Sequence, residues 1–223
     1  MGGDMSRSGL AQTSPAPPPG PRPRLPEAER RQALIRAAED IFLAQGYAAA
    51  NMDDVARSAR MSKKTLYQLF SSKEALFEAV MKEHLAPLQV SPEEYAGDLR
   101  EGLIALMELA ATHLLNGRHI GFFRLISGEV KRAPELAEAF HRAVPTQGKG
   151  ALERCLAIHV ARGDLDIADP AEAAGMLFGL TIGEPHMRMM LGQCDAPSPE
   201  EISRRVITGV EIFLNGTVVR KRH

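Results

Sequence analysis

The sequence predicts an all-α protein of about nine helices, and three observations carry that prediction. No stretch alternates Val, Ile or Thr with polar residues in the manner of a half-buried strand. Trp is absent and aromatic residues make up only 5% of the chain, while Ala and Leu are abundant, a composition suited to helix-on-helix packing. Helix-start signals recur: Ser91-Pro92-Glu93-Glu94, Asp169-Pro170-Ala171-Glu172 and Ser198-Pro199-Glu200-Glu201 each offer a capping side chain, Pro at the first helical position and Glu at the third.

Taken in order, residues 1–26 are rich in Pro, Gly and Ser and have few apolar side chains, so they cannot offset their ordering entropy and are expected to be disordered. Arg22 and Arg24 lie at the end of this tail, where a minor-groove arm is the alternative to a solvated segment. A first helix is expected over 27–45, with Leu34, Ile35, Ala38, Ile41 and Phe42 on one face and Gly46 as its stop. Asn51 is expected to cap a second helix with Asp54 as reciprocal partner, burying Met52, Val55, Ala56 and Ala59. After a turn at Arg60 and Met61, Ser62 caps a third helix that buries Leu66 and Phe70. A fourth opens at Ser71, paired with Glu74 in a capping box, and runs to about Leu85. Further helices are expected near 92–115, 119–127, 134–145, 149–162, 170–191 and 199–215.

The net charge of −1 conceals an asymmetry. Arg22 to Lys73 carries ten Lys/Arg against six Asp/Glu, whereas Glu74 to His223 carries sixteen against twenty-one. A basic first lobe and an acidic remainder suit a protein with one lobe on nucleic acid. Cys155 and Cys194 are too few for a disulfide framework and lack metal-ligand spacing. The seven His show no ligand spacing, no Gly-rich phosphate loop follows a strand, and no nucleophile turn is present. Neither catalytic residues, nor a metal, nor a cofactor is expected. No apolar run is long enough to span a membrane, and a cytoplasmic location is expected.

The segment from Asn51 to Phe70, two short helices around a tight turn, is a helix-turn-helix. Read with the Gly46-Tyr47 stop, the Asp54-Val55-Ala56 run, Ser62-Lys63 followed by Thr65-Leu66-Tyr67 and Phe70, and Ser72-Lys73-Glu74-Ala75-Leu76, it resembles the N-terminal domain of the TetR family of transcriptional regulators. The signature covers Arg31 to Leu85. Phe122-Phe123-Arg124, Pro134-Glu135-Leu136 and Arg162-Gly163-Asp164-Leu165 are similar to the C-terminal domain of AefR-like members. Two positions depart from the family pattern: Arg60 stands where the turn usually has Gly, and Leu69 where His or Tyr often supplies a phosphate contact.

The resemblance implies a two-lobed TetR-like molecule. It would have a helix-turn-helix DNA-binding lobe over 27–85 and a ligand-binding and dimerisation lobe over 86–223. The implied partners are double-stranded operator DNA, a small-molecule effector and a second copy of the chain, with no membrane. A repressor is the expected role, with an effector-independent architectural DNA-binding dimer as the alternative. Ser62, Lys63, Lys64, Thr65, Tyr67 and Gln68 are the expected DNA-reading residues; Tyr67 and Lys73 are suited to phosphates. Gly175, Gly179 and Gly183 recur every four residues in an apolar helix, where each costs about 1 kcal/mol relative to Ala, and are expected to face the partner subunit. Leu103, Met107, Phe122, Phe123, Leu125, Met176 and Phe178 are expected to line an effector cavity, with His113, Glu129, Glu184 and His186 as polar groups able to orient a ligand.

Overall fold

The computed structural model describes residues 25–143 and 150–217; the expected disordered tail, with Arg22 and Arg24, lies outside them apart from Leu25 and Pro26. Among the described residues there is no strand, and no helix is long and apolar enough to cross a membrane. The helices are α1 (Glu27–Gln45), α2 (Met52–Ser58), α3 (Lys63–Leu69), α4 (Lys73–Leu85), α5 (Leu99–Leu114), α6 (Gly117–Glu129), α7 (Glu135–Ala143), α8 (Ala151–Arg162), α9 (Pro170–Phe178), α10 (Glu184–Met190) and α11 (Pro199–Thr217). A π turn over Gly179–Gly183 joins α9 to α10 as one continuous rod.

The first lobe is built on α1. Leu34, Ile35, Ala38 and Phe42 are buried, and Gly46, at φ 85°, stops the helix while its N–H donates to the Phe42 carbonyl. Phe42, Tyr47 and Phe77 form a mutually packed trio with centroids 5.2–5.6 Å apart. Phe122 of α6 enters the same core 6.4 Å from Phe77, and Leu136 and Ala139 of α7 join it as α7 packs along α4. Burying a side chain such as Phe122 contributes roughly 1.5–3 kcal/mol, so the first core is held together partly by the second lobe. A separate core gathers Leu103, Met107, Leu156, Leu177, Val206 and Val210 from α5, α8, α9 and α11.

Several helix starts differ in detail from the sequence expectation. Asn51 caps α2 by accepting from the Asp53 N–H at 2.6 Å, while Asp54 pairs instead with Arg57 at 2.8 Å. Ser72, not Ser71, caps α4 through the Ala75 N–H, and Glu74 turns to the Tyr47 hydroxyl. The expected helix over 92–115 is broken: Pro92–Tyr95 forms a 3₁₀ turn, and Asp98 caps α5 by accepting from the Glu101 N–H at 2.8 Å. The break lets the 3₁₀ turn cross tightly over α5, where a Cβ at Gly102 would strike the Tyr95 carbonyl. Ser198 and Glu201 form the expected capping box, with reciprocal bonds of 3.2 and 2.8 Å.

Candidate nucleic-acid interface

α3 presents two faces of different chemistry. Leu66 is fully buried in the first core, which turns Ser62, Lys63, Lys64, Tyr67 and Gln68 to solvent, with Thr65 half-buried at the edge. Ser62 caps the helix by accepting from the Thr65 N–H at 3.1 Å, and the two hydroxyls lie 2.9 Å apart. The first turn of α3 is thereby fixed, with Lys64 free to reach outward. Lys63 forms an ion pair with Asp53 of α2. Lys63 is exposed and Asp53 half-buried, so the solvent-screened pair contributes little to stability and can yield to a phosphate.

The turn before α3 explains how the two short helices meet. Arg60 is the only described non-glycine residue with positive φ, at 55°, and Met61 N–H donates to the Ala56 carbonyl at 2.8 Å. The backbone keeps the left-handed geometry usually given to Gly, at a cost of roughly 1–2 kcal/mol for a residue with a Cβ. That geometry leaves the Arg60 side chain exposed beside the reading helix.

Lys73 is the exception among the expected DNA residues. Its ammonium sits 4.3 Å from the Tyr47 ring centroid and donates to the Ala48 carbonyl at 3.3 Å. Burial lowers its pKa, against the raising influence of Glu129 and Glu74. In this arrangement Lys73 braces the start of α4 against the turn after α1. Arg31 was not singled out by the sequence. Its guanidinium stacks 4.4 Å over the Phe70 ring and donates to the Leu69 carbonyl, holding the C-terminal end of α3. Only the i, i+38 separation hides this contact from a sequence reading.

Glu129 joins the lobes rather than orienting a ligand. From the end of α6 its carboxylate accepts from the Tyr47 N–H at 3.0 Å and the Ala48 N–H at 2.7 Å. Arg118, also of α6, binds Glu39 and Asp40 of α1 at 2.5 and 2.7 Å. Burial raises the Glu39 carboxyl, but His84 and Arg118 outweigh it and hold it at about 2.

The seven expected effector-lining residues are not brought together. Leu103 and Met107 are packed in the second core, and Phe122 lies in the first. Phe123 contacts His186 and Phe140, while Met176 and Phe178 are 58% and 38% exposed. Leu125 packs at the edge of the first core. A cleft of about 760 Å³ lies elsewhere, between α10 and α11, with Leu115, Leu180, Pro185 and Ile202 beside Arg188 and Arg205. Glu184 belongs to that cleft and pairs with Arg205 at 3.1 Å.

Gly175, Gly179 and Gly183 line no contact within the chain: a Cβ built at any of them meets nothing within 4 Å. Around them Met176, Phe178, Leu180, Met187 and Leu191 are exposed on the α9–α10 rod, next to exposed Ile207 and Ile212 of α11. The close helix–helix approach inside the lobe falls instead at Gly209, where a Cβ would lie 2.6 Å from Thr181 Cγ2. Thr181 sits in the π turn, whose freed carbonyl accepts from Arg205 Nε at 2.8 Å.

The absence of His ligand spacing in the sequence is overridden by the fold. His84 at the end of α4, His113 on α5 and His119 on α6 converge, with His186 of α10 at their margin. Burial foremost, with His84, His113 and His186 adding to it, pushes His119 down to about 3, and burial likewise lowers His113 and His186.

Comparison with known proteins agrees with this geometry. Residues 34–80 match the model of bacterial regulatory proteins of the tetR family, and residues 101–216 match that of the AefR-like transcriptional repressor C-terminal domain. The HTH-type transcriptional activator FasR of Mycolicibacterium smegmatis is 50% identical over 62 residues, covering 28% of each chain. A TetR-family regulator from Mesorhizobium loti superposes with TM-score 0.74 at 27% identity, covering 88% of this chain and all of that one. The flavonoid-responsive regulator FrrA superposes with TM-score 0.70 at 32% identity, covering 87% and 100%.

Proposed function

Because the chain belongs to the TetR family of DNA-binding transcriptional regulators, and is a regulator rather than an enzyme, we propose that it acts in the cytoplasm as a homodimeric repressor, released from its operator by a small, largely apolar effector. The observation that carries the reading is the outward face of α3, where Lys63, Lys64, Tyr67 and Gln68 stand together on a helix anchored from behind by Leu66. Lys donates to guanine edges or phosphates, Gln pairs with adenine, and the Thr65 methyl suits thymine. Tyr67 and the amides at the start of α4 serve the backbone, while Lys73 holds the start of α4 in place through Tyr47 and Ala48.

The homodimer is supported by the open apolar face of the α9–α10 rod and α11, which a second copy covers with the same face across a two-fold axis. Gly175, Gly179 and Gly183 then let the two rods approach closely. Two α3 helices in successive major grooves need a separation of about 34–36 Å. The repressor role is supported by the AefR-like match over the second lobe; the likeness to the activator FasR is confined to 62 residues. An effector is supported by FrrA, which is flavonoid-responsive, and by the cleft between α10 and α11. A second reading, a dimer that holds DNA without any effector, is favoured by the solid packing of Leu103 and Met107. It differs in that no small molecule alters operator affinity.

The test is operator binding by wild type and the Lys63→Ala/Lys64→Ala double variant, on DNA selected from a random pool. The variant keeps the wild-type circular dichroism, loses affinity, and shows a salt dependence shallower by up to about 3.6 in log–log slope per dimer if all four lysines meet phosphates. Unchanged affinity in the folded variant rules the interface out.

A further inference from the structure

We propose that His84, His113 and His119 form a binding site for a divalent cation of the zinc class, which fastens the last turn of α4 to the second lobe. One ring nitrogen from each of the three lies within 4.8 Å of the others. Tetrahedral coordination with Zn–N bonds of about 2.0–2.1 Å sets ligand nitrogens roughly 3.4 Å apart, so side-chain rotation alone closes the set.

Three further observations point to an ion. His84 Nε2 and His119 Nδ1 face each other at 2.8 Å. Two ring nitrogens at that distance need a proton between them, and a cation can take the proton's place with both lone pairs aimed at it. His113 Nε2 is buried without a hydrogen-bond partner, in a structure where such atoms are few. A buried, unsatisfied nitrogen costs roughly 1–3 kcal/mol, a cost that coordination removes. The other side of the His84 ring faces a carboxylate, with Nδ1 3.7 Å from Glu39 Oε1. A carboxylate behind a ligating imidazole is the arrangement that orients metal-bound His and raises its basicity.

The donors also suit the cation. Three imidazoles without a thiolate favour zinc, nickel or copper over magnesium or calcium, which require oxygen. Three protein ligands leave a fourth position for water or for His186, whose ring centroid is 6.0 Å from that of His119. His84 lies on the helix that carries the reading lobe, and the other two ligands lie on α5 and α6. The short connection at Leu115 and Asn116 holds His113 and His119 at fixed spacing: the Asn116 side chain donates to the His113 carbonyl and accepts from the His119 N–H.

The experiment uses the full chain, stripped with chelator and titrated with Co²⁺ alone, then with Zn²⁺ in competition. The expected result is one Co²⁺ per chain with the visible absorption of a low-coordinate nitrogen site, displaced by Zn²⁺. Hydrogen exchange at residues 81–85 slows as the site fills. His113→Gln, at one of the two half-buried members of the set, removes the coloured complex while retaining the wild-type circular dichroism. Glu39→Gln keeps all three ligands and weakens binding by about 10- to 100-fold. No stoichiometric binding to wild type, or binding undiminished in a folded His113→Gln protein, overturns the site. Binding that leaves exchange at 81–85 unchanged overturns the fastening of α4. No DNA enters these measurements, so they stand or fall apart from the operator assay.

Discussion

Replacing Glu129 with Ala removes the strut between the lobes, and the structure sets the size of the effect. Two charge-assisted bonds are lost, from the Tyr47 N–H at 3.0 Å and the Ala48 N–H at 2.7 Å. A hydrogen bond to a charged group contributes about 1.5–3 kcal/mol when shielded from water. The Tyr47 bond is partly buried beside the aromatic trio and takes the lower end of that range; the Ala48 bond is exposed and contributes less, about 0.5–1 kcal/mol. The expected loss is therefore about 2–3 kcal/mol. With a urea m-value of about 2 kcal/mol/M, the midpoint moves down by about 1–1.5 M. Protein concentration is held fixed, because the proposed dimerisation would add to the apparent stability. Glu129→Gln keeps one acceptor oxygen and falls between wild type and Ala. A midpoint shift for Glu129→Ala below about 0.25 M, or a Gln variant as unstable as Ala, refutes the strut.

Three other perturbations separate the parts of the molecule. Arg60→Gly relieves the left-handed residue at φ 55°; set against the greater entropy of Gly in the unfolded chain, a net gain of about 0.5–1 kcal/mol is expected in chemical denaturation, and a loss of stability contradicts the strain. Gly179→Leu, on the open face where a Cβ meets nothing, leaves monomer folding intact and shifts sedimentation toward monomer at low concentration. A fully dimeric variant removes the stripe from the interface. Gly209→Leu drives a side chain into Thr181, so this variant, unlike Gly179→Leu, loses about 1–3 kcal/mol of fold stability in thermal melts; equal melting of the two variants contradicts the assigned helix contacts.

What the sequence disclosed follows the range of each interaction. Caps within a few residues were legible, as at Ser62, Asp169 and Ser198. The first-lobe core was legible because Leu34, Phe42, Val55 and Leu66 recur at helical spacing. The helix over 92–115 was misread because Pro92 and Asp98 are both valid starts, and the choice was made by a tertiary crossing at Gly102. The glycine stripe stands out in the sequence by its four-residue spacing, whereas Gly209, one glycine alone in an amphipathic helix, gives no signal although a Cβ there would lie 2.6 Å from Thr181. Apolar type cannot distinguish a residue lining a cavity from one filling a core, and Leu103, Met107 and Phe122 fill cores. The histidine cluster is illegible for the opposite reason: His113 and His186 stand out singly as polar groups among apolar ones, but His84, distant in sequence, joins His113 and His119 only in the fold.

α4 is held by the second lobe at several points, alongside the α6 contacts to α1 and to the turn after it. Its first turn is braced by Lys73 on Tyr47, its flank is packed by α7 with Arg142 bound to Glu78 at 2.7 Å, and its last turn carries His84 into the second lobe. Each attachment involves a different kind of contact, so under the proposed effector mechanism a ligand acts by straining one of them. Such a ligand acts only through its difference in affinity between the DNA-competent and DNA-incompetent arrangements; tight binding to both shifts nothing. The difference required is small, since about 1.4 kcal/mol yields a tenfold change in operator affinity. That is less than the roughly 2–3 kcal/mol attributed to Glu129 alone. A single interlobe contact of this size is therefore sufficient to serve as the switch, and the reading lobe need not unfold or detach for the operator to be released.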